Sequence, residues 1–158
     1  MIIKASVRIN APIEVVWEVF SDIANWNEWN PVCRECRFEA GQALVRGACI
    51  SFSLNPVVLP IRIAPEVTHC EPGKKVIWKG GRLGIHAEHE FLFEEVGGWV
   101  VLRSTEFFKG PMLAFARLMF LPKRLHALSL RLLDAIKEQS EARAAESITA
   151  PGWADNSA

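Results

Sequence analysis

The sequence has no excess of charge of either sign and no long apolar run. Its 158 residues include 18 basic and 18 acidic side chains, so the formal net charge at pH 7 is zero. A neutral chain lacks the electrostatic attraction that nucleic acid or an anionic membrane requires, and we predict neither as a partner. The longest apolar stretch, residues 112–121, contains Arg117 and is shorter than the ~18 residues that span a bilayer.

An export signal is also missing, because residues 1–10 alternate and show no charged segment followed by an apolar one. We therefore expect a cytoplasmic protein with its four cysteines reduced. Cys33 and Cys36 form a CxxC pair, but residues three apart on a regular strand point to opposite faces. No metal or redox site is predicted there.

The motifs of several common enzyme classes are absent too. The chain has no GxGxxG, no other glycine-rich phosphate loop, no GxSxG nucleophile elbow and no HExxH pair. Dinucleotide enzymes, kinases, serine hydrolases and zinc peptidases are therefore not leading interpretations. No cofactor is predicted.

The periodicities that are present predict one α+β domain. Residues 2–10 alternate as a half-buried strand, and Ala11-Pro12 opens a helix with apolar residues at helical spacing. A second short helix is predicted to end near Trp29. Residues 33–108 return to a period of two between glycine and proline turns, which predicts an antiparallel meander that includes a strand over about residues 62–70.

The last hairpin allows a prediction of register. Gly97-Gly98 favours a tight turn that pairs Val96 with Trp99. Six side chains then share one face of the sheet: Phe93, Leu102, Phe91, Ser104, His89 and Glu106. In this register His89 lies opposite Glu106, within hydrogen-bonding reach, while the other face is mostly charged.

The chain after Gly110-Pro111 has a helical period that continues to about residue 145, with a kink expected at Pro122. Its leucine face is the long apolar stripe that can cover the aromatic face of the sheet: Leu121, Leu125, Leu128, Leu132 and Ile136. We predict a single domain over residues 1–146 and a disordered tail over residues 147–158.

These motifs, in this order, resemble the START-like SRPBCC superfamily, and more closely its polyketide cyclase/dehydrase-like branch. The residues that carry the resemblance are Ala11-Pro12 with Val16-Trp17, the segment 22–31, Glu71-Pro72-Gly73 before Val76 and Trp78, His89–Phe91, and Glu106–Gly110. The match covers residues 1 to about 145. It implies a helix-grip fold, in which a curved antiparallel sheet of about seven strands wraps around a long C-terminal helix, two short helices follow the first strand, and a cavity lies between sheet and helix.

Eight residues are candidate ligand contacts: Trp78, His89, Phe91, Ser104, Glu106, Phe52, Phe115 and Met119. His89 and Glu106 could act as general acid and base, orient a polar ligand group, or only satisfy each other inside an apolar interior. Trp78 is either a flat wall for a guest or plain core. Phe115 and Met119 could repack around varied guests or belong to the core.

Three functions remain open from the sequence. The first is binding of a small hydrophobic molecule of lipid, polyketide or aromatic type in the cavity. The second is a cyclase, aromatase or dehydratase that uses the His89–Glu106 pair. The third is a protein-interaction module like the co-chaperone relatives, which would need an exposed docking patch. The sequence does not fix the ligand or the oligomeric state.

Overall fold

The computed structural model describes residues 1–54, 60–82, 84–114 and 121–149, and within these every side chain except those of residues 121, 148 and 149. The elements in this part of the chain are β1 (Ile2–Ile9), α1 (Ile13–Ser21), a 3-10 turn (Ile23–Asn25), α2 (Trp26–Trp29), β2 (Arg34–Ala40), β3 (Cys49–Leu54), β4 (Ile61–Ile63), β5 (Glu66–Glu71), β6 (Lys75–Arg82), β7 (Ile85–Val96), β8 (Trp99–Lys109) and α3 (Leu121–Thr149).

The strands form one antiparallel sheet in the order β1-β8-β7-β6-β5-β3-β2, and the short strand β4 pairs with β3 beside this path. The sheet curls around α3, which packs against β1 and against α1. This is the helix-grip arrangement expected from the sequence, with seven strands on the main path. None of the helices in the described ranges is long and apolar enough to cross a membrane.

The β7–β8 hairpin has the predicted register throughout, from Val96 opposite Trp99 to His86 opposite Lys109. Gly97 and Gly98 both have positive φ, 57° and 81°, the conformation that a tight two-residue hairpin turn requires. Since no bulge interrupts the ladder, alternate side chains of both strands face the concave side.

An aromatic cluster fills the core at the centre of the concave face. Phe20, fully buried on α1, stacks on Trp78 with ring centroids 6.0 Å apart and meets Phe91 edge-on at 4.9 Å. Trp26 packs on Phe20 at 5.7 Å, and its indole N–H donates to the Val19 carbonyl at 3.3 Å. This cluster anchors α1 and α2 over one end of the sheet and leaves the other end to α3.

Two expectations about the strands are wrong: a continuous strand over residues 62–70, and a regular strand at Cys33 and Cys36. The strand predicted over residues 62–70 is divided into β4 and β5 around Ala64-Pro65, because a proline has no N–H to donate to the ladder. Around the CxxC pair, β2 is irregular between Arg34 and Arg37. Glu35 there is the one non-glycine residue with positive φ (54°) in the described ranges.

This irregularity overturns the argument that placed the two cysteines on opposite faces. Cys33 and Cys36 are both buried in the same core cluster, with 2% and 4% of their surface exposed. The alternation of faces holds only for a regular strand, and an extra residue at a bulge re-aims the side chains that follow.

The C-terminal helix α3 is described from Leu121 to Thr149. The kink expected at Pro122 depends on residues 115–120, which lie outside the described residues. The helix continues to Thr149, three residues past the predicted domain end at 146. Of the predicted tail, residues 150–158 lie outside the described residues.

Candidate ligand-binding cavity

A cavity of about 190 Å³ lies between the concave face of the sheet and α3. Its walls are the inward residues of β3, β4, β6, β7 and β8, the segment that contains Val32 and Cys33, and the leucine face of α3. Nearly all of these side chains are apolar. A concave apolar space with few polar groups is typical of small-molecule sites.

Strand alternation gives the cavity a direction. On β7 the lining side chains are Ile85, Ala87 and His89, and on β8 they are Phe108 and Glu106. The next inward residues, Phe91 and Ser104, are buried in the core and are not among the described residues that line the cavity. His89 and Glu106 therefore close the deep end, against the aromatic cluster.

The other end of the cavity lies at the connection between β6 and β7. Arg82 and Ile85 are paired across this hairpin and both line the cavity, together with Leu113. The Arg82 guanidinium is turned to the Arg62 carbonyl, to which it donates a hydrogen bond. We call this the outer end.

Glu106 Oε1 shares a hydrogen bond with the Ser129 hydroxyl, which reaches down from α3. Ser129 also lies 3.0 Å from the Leu125 carbonyl of its own helix. Burial raises the pKa of Glu106 to about 7, and the Ser129 bond only partly offsets this. The physical cause is the loss of water around the charged form, so the neutral acid is favoured up to near-neutral pH.

His89 is held by its neighbours on the sheet. Its Nε2 lies 2.7 Å from Ser104 Oγ, and its ring stacks on Phe91 at 4.0 Å and meets Trp78 edge-on at 5.5 Å. Burial lowers its pKa to about 3. The imidazole is therefore neutral at physiological pH, because the cost of burying its charged form prevails.

The two residues keep their predicted positions but not their predicted contact. His89 and Glu106 are opposite each other in the ladder. Within the described part of the chain, however, each side chain hydrogen-bonds a serine and not the other. The sequence left open whether the Glu106 carboxylate would stabilise a charged His89 or the apolar surroundings would oppose the charge. Burial prevails, and it favours the neutral forms of His89 and Glu106.

The other predicted contacts divide into three groups. Trp78 and Phe52 line the cavity, and Trp78 also stacks on Phe20, so it is wall and core at once. Phe91 and Ser104 were predicted ligand contacts, but they lie behind the wall because they are one step deeper on the same face; they support His89 instead. Phe115 and Met119 lie outside the described residues.

The sequence reasoning missed two polar residues of the site. Ser129 lies on the leucine face of α3 between Leu125 and Leu132, and a serine on an apolar stripe was the signal that could have revealed it. Cys33 lines the cavity only because of the local irregularity of β2, which has no comparable signal.

Cys33 is positioned by Asn30, whose Oδ1 accepts hydrogen bonds from the backbone N–H groups of Val32 (2.8 Å) and Cys33 (3.1 Å). Burial raises the pKa of the Cys33 thiol well above its usual value, and Cys36 and Glu106 add to this. The thiol is thus protonated and weakly nucleophilic. In the part of the chain that the structure covers, no group of three or more His, Cys, Asp or Glu side chains could hold a metal ion.

Comparison with known proteins adds a family and a set of similar folds. Residues 2–141 match the family described as polyketide cyclase/dehydrase and lipid transport. A search of curated proteins finds no significant match.

Solved structures with low sequence identity share the fold. A protein from Thermus thermophilus superposes with a TM-score of 0.76 at 13% identity, over 90% of this chain and 99% of that one. The Zhui aromatase/cyclase from Streptomyces sp. R1128 gives 0.69 at 16%, over 90% and 94%. A START superfamily protein from Mycobacterium smegmatis gives 0.64 at 16%, over 94% and 99%. At these identities the likeness is one of fold.

Proposed function

Because the chain belongs to the polyketide cyclase/dehydrase and lipid transport family, we propose that its cavity binds one small, largely apolar molecule between the sheet and α3. The observation that carries this proposal is the distribution of side chains around the cavity. Apolar residues line its length, and polar side chains at its deep end are few and already oriented by hydrogen bonds. Such a site gains affinity from burial of apolar surface and orientation from a few fixed polar groups.

The size of the cavity limits the guest. About 190 Å³ exceeds the roughly 150 Å³ of an engineered protein cavity that holds benzene, and it is below the ~300 Å³ at which sites for drug-sized ligands begin. A molecule with one or two rings, or a short chain, fits these limits. Trp78 supplies a flat aromatic surface for a planar guest.

Native mass spectrometry of protein purified from its own host, with a denatured control, tests the proposal. We expect an added mass that is lost on denaturation, or, if the cavity empties during purification, saturable binding of naphthalene. The Ala87→Phe substitution puts a phenyl ring into the cavity and should abolish both signals. Thr105→Phe, on the outward side of β8, is the matched control and should retain them. Absence of an added mass and of naphthalene binding in the wild type would contradict the proposal.

A second candidate is an enzyme that cyclises or dehydrates a poly-β-ketone, and one observation favours it. Glu106 lines the cavity with a pKa raised to about 7, which suits a general acid near neutral pH. The Glu106→Gln variant separates the candidates, because glutamine keeps the shape but cannot give up a proton. In an enzyme this variant should lose turnover while it still binds substrate; in a binding protein it should change affinity alone.

A further inference from the structure

We infer that the deep end of the cavity selects a neutral ligand with one hydroxyl group and rejects a carboxylate at that position. This inference rests on the proposed binding function and names the chemistry of its ligand. It follows from which hydrogen-bonding atoms at the deep end are already used and which are open.

The Ser129 hydroxyl is one of the atoms already used. It has a single hydrogen but two oxygen neighbours, Glu106 Oε1 and the Leu125 carbonyl. A carbonyl oxygen cannot donate, so both contacts can be hydrogen bonds only when Glu106 supplies a proton of its own. The raised pKa of Glu106 agrees with this arrangement.

The second carboxyl oxygen of Glu106 is open. In the described part of the chain, Oε2 has no hydrogen-bond partner, while the residue lines the cavity. Since the carboxyl proton is directed to Ser129, Oε2 is a hydrogen-bond acceptor and can pair with a ligand hydroxyl, which donates. A guest with one such group gains a hydrogen bond there that a plain hydrocarbon cannot make.

Among the described residues, no cationic group is paired with Glu106 or His89, where a ligand carboxylate would need a counter-charge. The described lining residues carry two cationic groups: the Met1 ammonium, which donates to the Phe108 carbonyl at 2.8 Å, and Arg82 at the outer end of the cavity, which is bonded to the Arg62 carbonyl. His89 is neutral and is bonded to Ser104. A buried anion without a paired cation is costly, and a neighbouring acidic side chain adds to that cost.

Three probes with the same ring system test the inference: naphthalene, 2-naphthol and 2-naphthoate. Binding is measured by isothermal titration calorimetry at about pH 6, where the buried Glu106 keeps its proton. We expect 2-naphthol to bind about tenfold more tightly than naphthalene, as one net hydrogen bond allows, and 2-naphthoate to bind about tenfold more weakly.

Variants assign the preference to Glu106. Glu106→Leu should reduce the affinity for 2-naphthol relative to naphthalene about tenfold, and a circular dichroism spectrum like that of the wild type shows that the variant is folded. Glu88→Leu removes a glutamate from the outer face of β7, where it pairs with Lys79, and should leave all three affinities unchanged. If Glu106→Leu does not fold, Glu106→Gln replaces it and should keep the preference for 2-naphthol over naphthalene and reduce the discrimination against 2-naphthoate, because the amide can donate to Ser129 or turn its N–H to the ligand; unchanged discrimination would count against the inference.

The outcomes separate the inference from the function beneath it. Equal binding of the three probes, tighter binding of 2-naphthoate, or an undiminished 2-naphthol preference in Glu106→Leu would overturn the inference while cavity binding stands. If none of the probes binds wild-type protein, the proposed function itself fails.

Discussion

Replacing Glu106 by glutamine should stabilise the protein at neutral pH but not at acidic pH. Burial raises the pKa of this carboxyl from 4.5 to about 7 in the folded state, so between these values the folded protein holds a proton that the unfolded chain has released. The stability that the group contributes is therefore complete below pH 4.5 and is lost as the pH rises to about 7. At about 1.36 kcal/mol per pH unit, the loss is about 3 kcal/mol.

His89 acts in the opposite direction. Burial lowers its pKa from 6.5 to about 3, so its contribution is complete above pH 6.5 and is lost as the pH falls towards 3, by up to about 5 kcal/mol. Between pH 4.5 and 6.5 the slopes from Glu106 and His89 have opposite signs and similar size. The free energy of unfolding contributed by these two groups therefore changes little with pH in this range, and the separate contribution of each residue is measurable only in its variant.

Urea unfolding followed by tryptophan fluorescence, from about pH 4.5 to 8 at constant ionic strength, measures the effect. The difference in unfolding free energy between Glu106→Gln and wild type should shift by about 3 kcal/mol in favour of the variant as the pH rises. His89→Gln should show the reverse trend. Glu88→Gln, which removes a carboxylate from the outer face of β7, controls for net charge. A difference for Glu106→Gln that stays constant with pH would refute the assignment of a buried, protonated acid.

Three further predictions concern residues outside the deep end. Ser140 on α3 is fully buried and its hydroxyl has no partner in the described residues, so Ser140→Ala should raise the free energy of unfolding by about 1 kcal/mol in a urea titration. Glu35 has a φ of 54° and accepts a hydrogen bond from Ser53, which both Glu35→Gly and Glu35→Ala remove. Because glycine adopts positive φ without strain, thermal melting should show the glycine variant to be the more stable by about 1 kcal/mol. Cys49 is partly exposed and should react with a thiol reagent before Cys33; faster reaction of Cys33 would contradict the burial described for it.

The β7–β8 hairpin was predictable from the sequence because its constraints are local. Two adjacent glycines fix the loop length, and alternation of apolar and charged residues leaves one register that buries the apolar set. The positions of His89 and Glu106 on the concave face follow directly. The break between β4 and β5 was also within reach, since Pro65 cannot donate to a ladder. At the CxxC pair the prediction from alternation failed because the strand is irregular there. The residue with positive φ is Glu35, and a glutamate, unlike a glycine, does not signal such a position in the sequence.

The hydrogen-bond partner of Glu106 was not predictable in this way, since it depends on how α3 packs on the sheet. Register fixes which backbone positions are opposite, but the partner of a buried carboxyl is set by whatever side chain the covering helix brings to it. Ser129 takes this position from a helix face that is otherwise leucine. Had Leu125 or Leu132 faced Glu106 instead, the carboxyl would have lost this partner, and the more apolar surroundings would have raised its pKa further. Which carboxyl oxygen is left open at the deep end, and with it the selection of a ligand hydroxyl, therefore depends on the rotation of α3 about its own axis as much as on the residues of the sheet.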